Sequence, residues 1–382
     1  MHVICVNYTF DPEITNPDTL LDRYETLVSW ADAIKRAGAA VSVVQRFGVD
    51  VRLKRNDVPY QFVYDPTLQN GSVLDLAKRT NSVIVAAEPD IVHVNGLQFA
   101  RQAWHLKRLL RRTPVLLQDH KNPVPGHWLN RWTLGRALHR MEAISFVSRV
   151  QALPWIEAGL LHRDQTIVEL MEGSSRFKLK SQSAARAQTG LTGSPLCLWV
   201  GKLVANKDPL TVLRGFAKAF PSLPGARLAM IYGSTELLPM INQWLAVHPS
   251  VSKRVQLLGQ RPHADLEDVY NSADLFLLGS HNEGSGYAVL EALACGVVPI
   301  LSEIPSFRVL TGGGTVGGLW PCGDADALAK VLRLRSSTLN QETRREVRAY
   351  FEKHFHWNAI GPRAVDTYRK ILSPPEKTER SR

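Results

Sequence analysis

Short apolar runs alternate with amphipathic stretches along most of the chain. HVICV at 2–6, a stretch from Leu20 to Ala37 with apolar residues at helical spacing, and VSVV at 41–44 predict a strand–helix–strand unit. DIVHV at 90–94, a helix through 98–112 and PVLLQ at 114–118 repeat it. AISFV at 143–147 and TIVEL at 166–170 predict later strands, with residues 150–158 helical between them. The polar stretch 173–183, GSSRFKLKSQS, predicts a linker. The pattern then restarts. Strands are predicted at LCLWV (196–200), RLAMIY (227–232), RVQLL (254–258), DLFLL (274–278) and VVPIL (297–301). Helices are predicted at 208–220, 235–247, 264–271, from about Ser285, and at 324–335 after TVGGLW. One last helical segment from about Arg344 to Leu372 ends before Pro374-Pro375, and the polar tail 373–382 is expected to fray.

Strands alternating with helices imply parallel sheets with right-handed crossovers. Both halves share this grammar, so each is expected to be a doubly wound α/β domain. Two such domains would face a cleft at the carboxyl ends of their strands, where open α/β sheets bind ligands. The expected boundaries are 1–175, 185–355 and a final helix at 356–372.

At 382 residues with 45% hydrophobic and 21% charged positions, the composition excludes disordered, collagen-like and coiled-coil architectures. Cys5, Cys197, Cys295 and Cys322 lie far apart without a CxxC pair, which argues against a disulfide framework or zinc site. They read as small buried hydrophobes in a reducing compartment. Residues 1–7 read as a strand rather than a signal peptide, and no apolar run approaches the roughly 20 residues of a membrane helix. A cytoplasmic location is the expectation. The +11 net charge favours acidic partners. It is concentrated: residues 101–140 hold nine Lys and Arg against the single acid Asp119. Trp128 and Trp132 would share a helical face there with Leu129 and Arg136 beside them. That face could meet an anionic membrane, at the cytoplasmic side, or a lipid-linked acceptor, or stack sugars; an ordinary helix with solvated arginines is the plainer alternative. No nucleic-acid-binding module is recognised, so a nucleic-acid partner is not expected.

Two segments carry candidate chemistry. Glu283-Gly284-Ser285-Gly286-Tyr287-Ala288-Val289-Leu290-Glu291 lies between a strand and a helix. Its glycines permit close approach of a ligand to backbone, and the helix start offers free N–H groups to a phosphate. Two carboxylates flanking that point suit paired hydroxyls on a sugar and a ribose. Taken alone, they could equally be a dipole-favouring acid and a surface glutamate. The second segment, Gly201-Lys202-Leu203-Val204-Ala205-Asn206-Lys207-Asp208-Pro209, follows the first strand of the second half. Lys202 and Lys207 could clamp a diphosphate leaving group or be solvated; Asp208 reads as the cap of the helix opened by Pro209.

These residues resemble glycosyltransferase family 4, the "glycosyl transferases group 1" family with the GT-B fold. Gly201, Lys202, Leu203 and Lys207 match its G-[RK]-L-x3-K strand end, and Glu283 and Glu291 its E-x7-E signature. The similarity extends through Ala294-Cys295-Gly296-Val297-Val298-Pro299, Gly317–Pro321 and Gly323-Asp324. It reaches the terminal helix with Phe355, Trp357 and Tyr368, which in such proteins crosses back to the first domain. In the first half it rests on Asp90–Gly96 and Phe146-Val147-Ser148.

The resemblance implies a retaining, metal-independent transferase that moves a sugar from a nucleoside diphosphate sugar, a co-substrate rather than a cofactor, to a hydroxyl acceptor. Lys202 and Lys207 would hold the diphosphate, Glu283 the sugar hydroxyls, the backbone of Gly284 to Tyr287 the phosphates, and Glu291 the ribose. Gly201, Gly233, Ser234, Gln260 and Arg261 would complete the donor site. His120 resembles a histidine near the reacting sugar, although a surface or capping role fits it too; Asp119 could orient it. Asn7, Tyr8, Asn95 and Trp128 fall on the acceptor side. The loop Asn7–Glu13 departs from the family's Gly-rich first loop, and lysine replaces arginine at 202, keeping charge but losing the fork. A non-catalytic nucleotide or polyanion binder on the same fold is the alternative. A Rossmann oxidoreductase is disfavoured because residues 7–13 contain no glycine. Asp324-Ala325-Asp326 spells a metal-binding D-x-D, but its place after Gly323 predicts a helix cap.

Overall fold

The computed structural model describes residues 1–65 and 75–373. The expected frayed tail, from 374 on, lies outside them. The chain divides into two compact units, Met1–Glu172 with the segment from Trp357 onward, and Gly173–His356.

The first unit is an eight-stranded sheet. Its strands are β1 (His2–Asn7), β2 (Ala40–Phe47), β3 (Val51–Arg55), β4 (Val58–Tyr64), β5 (Ile91–Asn95), β6 (Val115–Gln118), β7 (Ala143–Phe146) and β8 (Ile167–Glu169). They lie in the order β3-β4-β2-β1-β5-β6-β7-β8. All neighbours are parallel except β3 and β4, an antiparallel hairpin. That hairpin is absent from the sequence expectations. Its signature is visible afterwards: VRLKR and VPYQFVY flank Asn56-Asp57, and both turn residues take positive φ, as a two-residue type I′ turn requires. Helix Lys78–Ala86 was likewise not expected. The expected helix Leu20–Ala37 is two, Pro17–Arg23 and Glu25–Arg36, broken at Tyr24.

The second unit has six parallel strands, β9 (Leu196–Gly201), β10 (Arg227–Tyr232), β11 (Val255–Gly259), β12 (Leu275–Leu278), β13 (Val298–Ser302) and β14 (Gly318–Trp320). Their order, β11-β10-β9-β12-β13-β14, reverses direction between β9 and β12. The central strands are buried on both faces, so they read as uninterrupted apolar runs. The expected linker 173–183 is shorter than supposed: Ser181 caps helix Gln182–Thr189, accepting from the Ala184 N–H.

The expected single helix Arg344–Leu372 is also two. Gln341–His354 belongs to the second unit and Trp357–Leu372 to the first, with Phe355-His356 between them. The final helix packs on helix Glu25–Arg36. Trp357 meets Trp30 edge-on, and the Tyr368 hydroxyl lies 2.7 Å from Nδ1 of the buried His93. Burial pushes the His93 pKa down to about 3, so its ring stays neutral. Cys5, Cys197 and Cys295 are buried, while Cys322 is exposed, contrary to the reading of all four as core residues.

Candidate functional site

In the second unit the winding reverses between two hydrogen-bonded strands, so the loops after β9 and β12 leave the sheet side by side. Loop 202–208 and loop 279–286 are clipped together. The His281 N–H donates to the Asn206 carbonyl (2.9 Å), and Asn206 Nδ2 donates to the Asn282 carbonyl (3.0 Å). His281 Nε2 lies 3.2 Å from Asp208 Oδ2, and Asp208 also caps helix Pro209–Ala219 through the Thr211 N–H. This clip sets the Lys207 ammonium on the Glu283 carboxylate in an ion pair. Ser280 Oγ donates to the same carboxylate oxygen at 2.7 Å. Glu283 is buried and Lys207 half-buried. A buried carboxylate needs such partners to stay ionised.

Helix Tyr287–Ala294 follows at once. It begins two residues later than expected, so Glu291 is its fifth residue, about 6 Å along the axis. Gly286 is its N-cap with φ 62, a left-handed conformation, and a Cβ there would press on Leu310 and Phe307. No side chain caps this helix; the Gly286 carbonyl accepts from the N–H groups of Val289 (2.9 Å) and Leu290 (3.1 Å). Glu283 and Ser285 are buried beneath the turn, while Tyr287 is exposed. Gly173 approaches so closely that a Cβ there would lie 2.7 Å from the Tyr287 ring and 3.2 Å from Ser285 Oγ. Glu291 Oε1 accepts from His263 Nε2 at 2.7 Å, in the tautomer that carries the proton on that nitrogen. Its charge adds to burial in raising the Tyr270 pKa.

The remaining predicted donor residues fall on the same edge of the sheet. Gly201 ends β9, and its carbonyl accepts from the Gly233 N–H at 3.3 Å, just beyond β10. Ser234 Oγ is buried with no hydrogen-bond partner among the described residues. Lys202, Gln260 and Arg261 are exposed at strand ends. Asp324 accepts from the N–H groups of Asp326 and Ala327, and Asp326 pairs with Lys218, so this D-x-D is occupied as a helix cap.

In the first unit the carboxyl ends of β1, β5 and β6 carry Asn7, Asn95 and the turn Asp119-His120. Asn7 Oδ1 accepts from the Thr9 N–H. Tyr8 does not face that edge: it is buried in the core, its hydroxyl donating to Asn81 at 2.6 Å. Burial raises its pKa far beyond the ordinary tyrosine range. An acceptor contact through the Tyr8 side chain is therefore not what the fold provides. Trp128 is 68% exposed at the start of helix Trp128–Leu138. His120 Nδ1 pairs with the buried Glu172. Burial works to lower the His120 pKa, but the hydrogen bond and charge of Glu172, with the charge of Asp119, outweigh it and hold it above its ordinary value. Asp119 is pushed up to about 6 by burial, although the Asn122 and Lys121 N–H groups oppose the rise.

Four partners escaped the sequence reading: Glu172 behind His120, Gly173 against Tyr287, Ser280 on Glu283 and His263 on Glu291. His263 lies two residues past Arg261 and Ser280 three before Glu283, so both stood just outside the segments singled out. Glu172 lay in what read as a strand-to-linker transition with no chemical pattern.

Among the described residues, no group of three or more His, Cys, Asp or Glu is placed to hold a metal ion, and no helix is long and apolar enough to cross a membrane. Residues 181–354 match the sequence profile of the family "Glycosyl transferases group 1". The D-inositol 3-phosphate glycosyltransferase of Saccharomonospora viridis is 29% identical over 213 residues, 52% of this chain and 48% of that protein. The chain thus matches about half the length of such curated relatives. Across 97% of the chain the fold is similar to that of sucrose-phosphate synthase from Thermosynechococcus elongatus (18% identity, TM-score 0.68, 99% of that chain). It is similar over the same share to Anabaena Alr3699/HepE in complex with UDP and glucose (16% identity, TM-score 0.69, 100% of that chain).

Proposed function

Since the segment 181–354 matches the glycosyl transferases group 1 profile and the chain has the GT-B fold, we propose that the protein is a glycosyltransferase using a nucleoside diphosphate sugar. The observation that carries this reading is the Lys207–Glu283 pair, held at the strand-order reversal beside an uncapped helix start. In this reading Lys202 and Lys207 take the diphosphate, with the N–H groups of Gly284 to Tyr287 completing its cradle. Glu283 faces the sugar hydroxyls, and Glu291, with His263 beside it, the ribose. The unpartnered Ser234 hydroxyl, with Gly233, Gln260 and Arg261, lines the nucleotide's path. UDP-glucose is the first donor to assay, because Alr3699/HepE holds UDP and glucose.

Transfer proceeds with retention. The bond from the anomeric carbon to the diphosphate oxygen breaks, and the acceptor oxygen bonds to the same face. The departing phosphate takes the acceptor's proton, while the ammonium groups stabilise the charge it develops. These cations do the work a metal would do in a metal-dependent transferase. His120, oriented by Glu172, belongs to the acceptor-side half of the reaction, with Asn7 and Asn95 on neighbouring strand ends. The acceptor is a hydroxyl compound; the inositol phosphate in the relatives' name makes a phosphorylated polyol the first to try. The exposed Trp128, Leu129 and Trp132, with Arg131 and Arg136 beside them, would let the protein meet an anionic cytoplasmic membrane surface.

A thermal-shift screen against nucleoside diphosphates and their sugars, followed by product analysis, tests the proposal. Stabilisation by one nucleoside diphosphate series and loss of transfer in Lys207→Ala and Glu291→Ala support it. Binding without hydrolysis or transfer for any acceptor class would favour the non-catalytic nucleotide binder.

A further inference from the structure

The first unit carries a second basic feature, remote from its carboxyl-end edge. Helices Ala100–Leu109 and Trp128–Leu138 pack side by side, cross-linked where Arg101 Nη2 donates to Thr133 Oγ1 (2.8 Å) and Asn130 Oδ1 (3.3 Å). Beyond that cross-link, towards both helix ends, lies a cavity of about 800 Å³. Trp104, Lys107, Arg108 and Arg111 line one wall, and Arg136, His139, Arg140 and His162 the other. Lys107 donates to the Thr113 carbonyl just before β6 and pairs with Glu142 just before β7. The cavity therefore sits at the amino ends of β6 and β7, whereas Asn95 and His120 follow carboxyl ends.

Charge there is unanswered. Glu142 is committed to Lys107 and the Val115 N–H. Among the described residues, Arg108, Arg111, Arg136 and Arg140 have no carboxylate within 4 Å. Two of the guanidiniums are held by aromatic rings: Arg108 lies 5.7 Å from the Trp104 centroid and Arg136 4.8 Å from that of Trp132. His139 and His162 stack at 3.7 Å, and the buried His139 Nε2 has no hydrogen-bond partner among the described residues. Burial and then the His162 charge hold the His139 pKa down, so this ring contributes a polar edge rather than a fixed charge. Arg108 and Arg136 on the two cross-linked helices, with Arg111 and Arg140 just past their ends, line one cleft with four guanidiniums that have no carboxylate partner; these match the oxygens of a phosphate group, which arginine grips through paired N–H donors. The unpartnered nitrogen offers a further polar contact.

We propose that this cleft is a phosphate-binding site, made of residues other than those of the donor site, for a ligand bearing a phosphate ester or a diphosphate. The chemistry is common to a soluble phosphorylated compound and a phospholipid headgroup, so the experiment has an arm for each. The full chain carrying Lys202→Ala and Lys207→Ala, to silence the donor site, is titrated calorimetrically with inorganic pyrophosphate. It is also sedimented with phosphatidylcholine vesicles with or without phosphatidylglycerol. Arg136→Gln/Arg140→Gln and Arg108→Gln/Arg111→Gln are then added on that background. The four side chains are exposed or have no buried partner, and thermal unfolding verifies the fold of each variant. Each pair should weaken binding by roughly tenfold or more, the loss expected of charge-assisted hydrogen bonds, and added salt should weaken it further. Pyrophosphate binding alone identifies a soluble ligand, and binding only to phosphatidylglycerol vesicles identifies a headgroup; either supports the site if both variant pairs reduce it. Affinity unchanged in the variants, or no binding to either probe, overturns the proposal. So does binding of a short RNA when both probes are ignored, since that would make the cleft a nucleic-acid surface.

Discussion

Removing Lys207 perturbs the second unit in two ways that can be separated. Glu283 has 8% of its side chain exposed, and its ion partner Lys207 has 21%. Stripping one partner from a fully buried pair costs about 3–5 kcal/mol. Water reaches one-fifth of this lysine, and Ser280 still donates to the carboxylate, so Lys207→Met should cost less, about 2 kcal/mol of unfolding free energy. Glu283→Gln removes the charge that needed the lysine. Combining the two should therefore cost less than their sum, with a coupling of about 1–2 kcal/mol in a double-mutant cycle. Transfer should behave differently. If Lys207 stabilises the departing diphosphate, its loss costs about 100-fold or more in kcat, and Glu283→Gln does not restore it. The assay pairs urea unfolding of wild type, both single variants and the double variant with steady-state transfer kinetics. Strictly additive stabilities would refute the pairing. Recovery of turnover in the double variant would refute the role of Lys207 at the diphosphate, leaving it a structural partner of Glu283.

Glu291→Gln should raise the KM for donor with a smaller change in kcat, because the ribose is bound alike in ground and transition states; equal falls in kcat and kcat/KM would place Glu291 in the chemistry instead. Asp119 binds its proton more tightly in the folded protein, at about 6, than at the ordinary 3.8. Its ionisation thus opposes folding at pH 7.5, and the penalty fades as pH falls through about 6. Asp119→Asn, which retains one acceptor for the Lys121 or Asn122 N–H, should gain about 1–2 kcal/mol at pH 7.5 and less at pH 5, read from denaturant midpoints. Tyr368→Phe leaves His93 Nδ1 buried without its partner and should cost about 1–3 kcal/mol. His93 has the opposite pH sign to Asp119: with its folded pKa lowered to about 3 from 6.5, the stability of holding it neutral is present above about 6.5 and is lost as pH falls towards 3, and His93→Gln should flatten that acid limb. Trp128→Ala/Trp132→Ala should abolish sedimentation with anionic vesicles if that face meets a membrane, while leaving the unfolding midpoint within about 0.5 kcal/mol of wild type.

Buried parallel strands announce themselves as apolar runs because both faces need hydrophobic side chains. For that reason β9, β10, β12 and β13 were legible within a residue or so, and the Gly turn before Tyr287 could be placed at a strand–helix junction. Edges were less legible. β3 and β4 alternate polar with apolar residues over a short span, and Asn56-Asp57 becomes a hairpin signal only once both flanks are read as strands. The break at Phe355-His356 left no trace in helical periodicity, since residues on both sides continue it; the expected boundary at 355/356 rested on the resemblance, and packing is what assigns Phe351 to one core and Tyr368 to another. Sequence likewise supplied the chemical types of the site, two lysines and two glutamates at fixed spacing. Tertiary structure decided their partners. Lys207 reaches Glu283 because β12 inserts beside β9, and Tyr8 turns from a strand-end candidate into a core residue because Asn81 waits for its hydroxyl. Spacing along a chain fixes which residues share an element, whereas pairing between elements depends on sheet order, which no local pattern encodes.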